Sequence, residues 1–247
     1  MTDWGALARE RLSALAQASA QGPGVTRLPF TQEHRKALDL LTGWMQEAGL
    51  EVHLDAAGTL VGRLEGPEGA PTFLMGSHQD SVVEGGAFDG IMGVVLPILA
   101  LQRLRDNGVA LPFAVEVLAF ADEEGVRFPT ALLGPRALAG TFDPAVLEMT
   151  DADGISLRTA LHRFGLSPDE IAALRSNSDS ILGYLETHIE QGPVLEQANE
   201  ALGVVTAICG IERHPILLTG ETGHAGTVPM ALRRDALVGA SAIVTEV

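Results

Sequence analysis

Cysteine is almost missing from this chain of 247 residues: Cys209 stands alone. That excludes an intramolecular disulfide framework and any Cys-rich zinc module. Basic residues are scarce, 16 against 32 acidic ones, and the net charge is −16. A chain with that balance repels phosphate backbones and anionic lipid, so neither nucleic acid nor a membrane surface is an expected partner. Long hydrophobic runs are missing as well. The longest uncharged apolar stretch, Ile91 to Gln102, is broken by Gly93 and Pro97 and is too short to span a bilayer. The opening residues Met1-Thr2-Asp3-Trp4 have no apolar secretory core, and the expected compartment is the cytoplasm. What is present is the composition of a folded globular chain, 46% hydrophobic and 19% charged. The length allows one large domain or two modest ones.

The order of elements predicts an α/β fold. Trp4 to Ala18 and Thr31 to Ala48 read as helices, the second ended by Gly49. Glu51–Leu54 and Thr59–Leu64 flank a turn at Ala57-Gly58 and predict a hairpin. Pro71–Gly76 and Phe113–Phe120 are short apolar runs of the kind buried on both faces of a sheet, with a helix from Gly90 to Asn107 between them. Helical signals follow at Leu157–Phe164 and Pro168–Leu174, and the strand pattern resumes at Tyr184–Ile189. Near Gly210 the character changes. Arg213–Gly220 alternates like a strand, Pro229–Val247 reads as a helix, and the chain stops inside it without a cap. The expected division is residues 1–212 and 213–247, the second being the beginning of a further domain. Cys209, beside an apolar strand end, reads as a core residue and not as a nucleophile.

Chemistry gathers where the apolar strands end, which is where open α/β sheets bind ligands. After Gly76 comes Ser77-His78-Gln79-Asp80, with His78 and Asp80 on one face of an extended chain. The pair has the form of a metal ligand and its orienting carboxylate, although a lone histidine is more often structural. Asp89, between Gly85-Gly86 and Gly90, is either a ligand in an unusual backbone conformation or the N-cap of the next helix. Asp122-Glu123-Glu124 leaves a buried strand; alternation points Glu123 and Glu124 in opposite directions, one to a metal and one to a reacting water. An acidic loop in an acidic protein is the competing reading. His188 and Glu190 again share a face, Gln191 offers a donor and an acceptor to an amide, and His224 sits in a loop of small residues. Taken together, His78, Asp89, Glu124 and His188 make a site suited to zinc, manganese or nickel.

The strings GSHQDSVVEGGAFDGIMGV, FADEEGVRFPTALLGPRALAG, ETHIEQGPVLE, LGVVTAICGIERH and GHAGTVPMALRRDAL occur in that order. The sequence resembles the di-metal amidohydrolases of the aminoacylase clan, in the branch of allantoate amidohydrolase, N-carbamoyl-L-amino-acid hydrolase and β-ureidopropionase. HIEQGP marks the branch, because it places His188 where the rest of the clan has a carboxylate. The resemblance implies a zinc-exopeptidase-like mixed sheet flanked by helices, with an inserted α/β-sandwich lid that also dimerises. It implies two divalent transition metals, one held by His78, Asp89 and His188, with Asp89 bridging to a second that Glu124 binds. Glu123 would be the general base that activates the bridging water, Asp80 would orient His78, and Gln191 would contact the ureido group. His224 would polarise the substrate carbonyl from the other subunit of a homodimer.

The implied reaction is hydrolysis of a linear C–N bond in a small ureido or carbamoyl substrate. The alternatives are an aminoacylase or peptidase of the same clan, and a catalytically incompetent fragment or split-enzyme subunit. Members of the branch continue past this length and supply a further histidine ligand and a substrate-binding arginine region. The expectation is therefore a chain cut within its lid, with its second metal site incomplete. Smaller departures are Thr187 in the string ETHIEQGP, where an apolar residue is usual, and Gly223 before His224.

Overall fold

The computed structural model describes residues 2–247, which divide into two units, one ending at Gly192 and one beginning at Pro193. In chain order the first unit contains α1 (Trp4–Ala16), α2 (Gln32–Glu47), β1 (Glu51–Leu54), β2 (Leu60–Leu64), β3 (Thr72–His78), α3 (Met92–Asp106), β4 (Ala114–Phe120), α4 (Leu133–Ala139), α5 (Leu157–Phe164) and β5 (Ile181–Leu185). Local chemistry sets several of these boundaries. Thr31 caps α2 with its side-chain oxygen on the His34 amide, and Gly49 takes the positive φ of 87° that ends the helix. Residues 168–174, expected as α-helix, form a 3₁₀ segment that starts at Pro168.

The five strands lie in the order β1-β2-β4-β3-β5. β1, β2 and β4 pair antiparallel, while β3 runs parallel to both β4 and β5. β4 is buried along almost its whole length, as its apolar sequence requires of a central strand. Its exception, Glu116, lies opposite Arg63 of β2 and receives a 2.8 Å hydrogen bond from that guanidinium. One face of the sheet carries the main core, with Leu15, Leu41, Met45, Val94, Ile98, Val117 and Leu161 all inaccessible to solvent. The opposite face carries a smaller cluster of Val61, Leu74, Leu118 and Phe120. Register puts His78 beside Phe120, so β3 and β4 end together and their following loops start from one rim. β5 stops at Leu185, four residues short of the strand expected from the sequence, and lies at the sheet edge.

The second unit holds α6 (Val194–Ala198), a 3₁₀ turn at Met230–Leu232 and α7 (Ala236–Glu246). Asp235 caps α7 by accepting from the Leu237 and Val238 amides. No residue from Pro193 onward is buried. The strand expected over 213–220 does not form: those residues have no partner strand in the unit, and a ladder needs one. Cys209, read from sequence as core, is exposed. Among the described residues, no helix is long and apolar enough to cross a membrane.

Candidate active site

Asp89 is the hub of the site. It is not the N-cap of α3, whose capping position is Ile91 and carries no side-chain cap bond. Nor is its own backbone unusual; the positive φ of 65° belongs to Gly90. A Cβ at Gly90 would stand 2.3 Å from the His78 ring, so glycine there is required both by backbone and by space. Freed from capping, the Asp89 carboxylate turns to two imidazoles. Its Oδ1 lies 3.2 Å from His188 Nε2 and 3.8 Å from His78 Nε2. Its Oδ2 accepts a 2.7 Å hydrogen bond from Gln191 Nε2.

The two rings are oriented alike. His78 Nδ1 donates to the main-chain carbonyl of Asp80 at 2.9 Å, and His188 Nδ1 donates to the carbonyl of Ile189 at 2.9 Å. With Nδ1 as the donor, the neutral form of each ring would carry its lone pair on Nε2, the nitrogen that faces Asp89. The contact from Asp80 to His78 was expected through the carboxylate, but the carbonyl makes it. The Asp80 carboxylate instead accepts the amides of Glu123 and Glu124, both at 3.1 Å. It thereby aims the acid pair.

Glu123 and Glu124 do not diverge as alternation predicted. β4 ends at Phe120 and Asp122 adopts a positive φ of 55°, so the two acids lie beyond the extended backbone on which alternation depends. Both acids converge on His78, and one ligand atom from each of the three lies within 4.8 Å of the others. His78, Asp89 and His188 form a second such group, sharing His78 with the first. Among the described residues no group of three combines Asp89 with Glu124.

Electrostatics mark the same place. Burial raises the pKa of Glu123, and the charges of Asp80 and Glu186 add to it against the pull of His78 and His188. Burial raises Glu124 too; His78 pulls against it, and the charges of Asp89, Glu123 and Asp80 add to the rise. For His78, burial acts to lower the pKa, but Asp80, Glu123 and Glu124 overcome it and the net shift is upward. Asp122, fully buried with neither oxygen hydrogen-bonded, is pushed well above the usual carboxylate range by burial and then by Asp80. So dense a set of carboxylates at a strand rim is costly without a compensating cation. The donor set fits a divalent transition ion: two imidazole nitrogens with fixed tautomers and a carboxylate, at spacings near the roughly 3.4 Å that separates ligands about 2.1 Å from a tetrahedral ion. A cavity of about 520 Å³ adjoins the group, with Ser77, His78, Phe120, Glu123 and Glu186 on its wall.

Glu186 and its two partners were missed in the sequence reading. Ser77 Oγ donates to one Glu186 oxygen at 2.5 Å and Tyr184 OH to the other at 2.9 Å, which fixes this carboxylate beside Glu123. Its position two residues before His188 was the available signal. His224 belongs to the second unit, where its Nδ1 accepts from the Gly226 amide.

Known proteins carry the same framework. The chain is 45% identical over 237 residues to an N-carbamoyl-L-amino acid amidohydrolase of Geobacillus stearothermophilus, which covers 95% of this chain and 58% of that protein. It is 41% identical to an allantoate deiminase of Arabidopsis thaliana, with 95% of this chain and 46% of that protein aligned. A crystal structure of a hydantoinase/carbamoylase family amidase from Burkholderia ambifaria superposes with a TM-score of 0.79 at 34% identity, over 98% of this chain and 59% of that one. The chain thus spans less than three-fifths of the length of these relatives. The family model described as peptidase family M20/M25/M40 matches residues 74–244, which takes in His78, Asp89, Glu123, Glu124 and His188. By that match the chain belongs to the M20/M25/M40 peptidase family.

Proposed function

We propose that this chain carries the ion-holding and proton-transferring part of an amidohydrolase that cleaves a linear C–N bond of a small ureido or carbamoyl compound. The observation that carries the reading is the pair of imidazoles, each with Nδ1 tied to a carbonyl and each presenting Nε2 to the same oxygen of Asp89. His78, Asp89 and His188 would hold one divalent transition ion, zinc, manganese or nickel, and Glu124 would serve a second. Such ions supply Lewis-acid polarisation of the carbonyl and a more acidic water.

The chain's own residues do the rest. Glu123, with a raised affinity for protons, takes the proton of the attacking water and returns it to the leaving nitrogen as the C–N bond breaks. Asp80 fixes Glu123 and Glu124 through their amides. Gln191 holds Asp89 and offers its remaining amide capacity to the ureido group. His224 is assigned to the substrate carbonyl across a homodimer, and the working compartment is the cytoplasm. N-carbamoyl-L-amino acids and allantoate are the leading substrates, after the relatives named for them.

Elemental analysis of the purified chain and of His188→Ala tests the ion site. Bound transition metal in the first and its loss in the second are expected; no metal in either folded protein overturns the assignment. Ammonia release from carbamoyl amino acids and allantoate then tests the substrate class, with Glu123→Gln as the inactive control. Turnover of N-acyl amino acids or dipeptides in preference to carbamoyl compounds would replace it with the aminoacylase or peptidase reading.

A further inference from the structure

Arg27 is among the most deeply buried side chains of the first unit, 2% exposed, and lies outside every motif considered so far. A charge in that position must be spent on hydrogen bonds. Its Nε donates to the Gln79 carbonyl at 2.6 Å, and its Nη1 donates to the carbonyls of Leu15 and Ala18 at 2.9 and 3.1 Å. Its backbone is engaged on the same stretch: the Arg27 amide donates to Ser81 Oγ at 2.9 Å, and the Ser81 amide donates to the Arg27 carbonyl at 3.1 Å.

These contacts have a common target. The Gln79 carbonyl belongs to the peptide group before Asp80, and the Ser81 amide belongs to the peptide group after it. Arg27 therefore fixes both peptide planes that flank Asp80, one with its side chain and one with its backbone. The second plane contains the Asp80 carbonyl that accepts from His78 Nδ1. The first sets the direction from which the Asp80 carboxylate reaches the Glu123 and Glu124 amides. The carbonyls of Leu15 and Ala18 anchor the guanidinium to the end of α1, so the clamp rests on the main core.

We propose that Arg27 is a positioning residue for the ion site, which acts through Asp80 to hold His78 in the tautomer that leaves Nε2 free and to keep the acid pair aimed at it. Its consequence for ion affinity rests on the reading given under Proposed function; its effect on the His78 ring does not. Lysine cannot replace it, because a single ammonium on a flexible stem lacks the planar fork that spans Gln79, Leu15 and Ala18.

Two measurements on the wild-type chain and on Arg27→Lys test this. The first is the ring ¹⁵N spectrum of the metal-free protein, at a pH where the rings are neutral and with His78 assigned by its loss in His78→Gln. The wild type should show one tautomer at His78, with hydrogen on Nδ1, and Arg27→Lys a mixture. The second is a cobalt(II) titration followed by visible absorption, in which Arg27→Lys should bind roughly 10- to 100-fold more weakly with an altered spectrum. A variant that melts lower but keeps the single tautomer and the wild-type cobalt affinity overturns the proposal and leaves Arg27 a structural residue only. If Arg27→Lys does not fold, Ser81→Ala decides: it removes the acceptor of the Arg27 amide, and a tautomer mixture with several-fold weaker cobalt binding is expected, whereas an unchanged ring overturns the proposal. A wild type that takes up no cobalt defeats the ion-site reading, while the ring spectrum still decides the role of Arg27.

Discussion

At the scale of single residues, the neutral imidazole of His34 shows how much the core asks of a titratable group. His34 is 1% exposed, accepts the Phe30 amide at Nδ1 and stacks on Phe164 with ring centroids 4.9 Å apart. Burial first, and then the charges of Arg27 and Arg35, push its pKa down to about 3. The unfolded chain therefore binds a proton at this position that the folded chain refuses, so stability rises with pH between about 3 and the ordinary histidine value near 6.5 and is lost on acidification. From pH 7 to pH 5.5 the loss traceable to this ring is about 1 kcal/mol. His34→Gln, which can still accept from the Phe30 amide, should show a shallower decline over that interval in urea unfolding, and an equal decline would show that the ring titrates normally. Sequence gave no sign of this. His34 opens α2 one turn after its cap and looks like a surface residue until Phe164 is known to lie on it.

At the scale of elements, the close approach of α3 to the strand rim is what brings Asp89 to the two histidines. Gly93 permits it: a Cβ there would meet the Thr187 carbonyl at 2.4 Å and Ser77 Cβ at 2.7 Å. Gly93→Ala should cost about 1–3 kcal/mol by forcing the helix off the segment that bears His188. Gly43 in α2 has nothing within 4 Å of the same added atom, so Gly43→Ala should stabilise by up to about 1 kcal/mol. Equal effects at the two sites in denaturant titrations would defeat the packing argument. The elements themselves were largely legible. Apolar runs ending in His78 and Asp122, glycine and threonine at the ends of α2, and the period of α5 all follow from chemistry local to the chain. What was illegible depends on single dihedrals or on distant partners. The chain left strand conformation after Phe120, before the acids that alternation was to separate, and β5 ended at Leu185 although the apolar pattern continued. Arg27 carries no sequence signal, because its burial depends on partners separated in the chain, from Ala18 nine positions before it to Gln79 fifty-two positions after it.

At the scale of the whole molecule, stability is unevenly divided. The first unit contains all the buried side chains, and residues 193–247 contain none. Segments with so little burial open at small free-energy cost. Limited proteolysis should cut first between residues 193 and 235 and leave a resistant fragment that retains His78 through His188. Early cleavage within α2 or β4 would contradict the division. The placement of β5 on the sheet edge has one further result. His78 ends an interior strand and His188 follows the edge strand, 110 residues later in the chain. Any guest gripped by both closes that span into a covalent-like loop and rivets the rim to the centre, much as a disulfide would. At one hundred times its dissociation constant such a guest adds about 2.7 kcal/mol of resistance to unfolding. The gain should be read most clearly as slowed amide exchange along β5, so the grip on such a guest and the endurance of this edge strand would rise together.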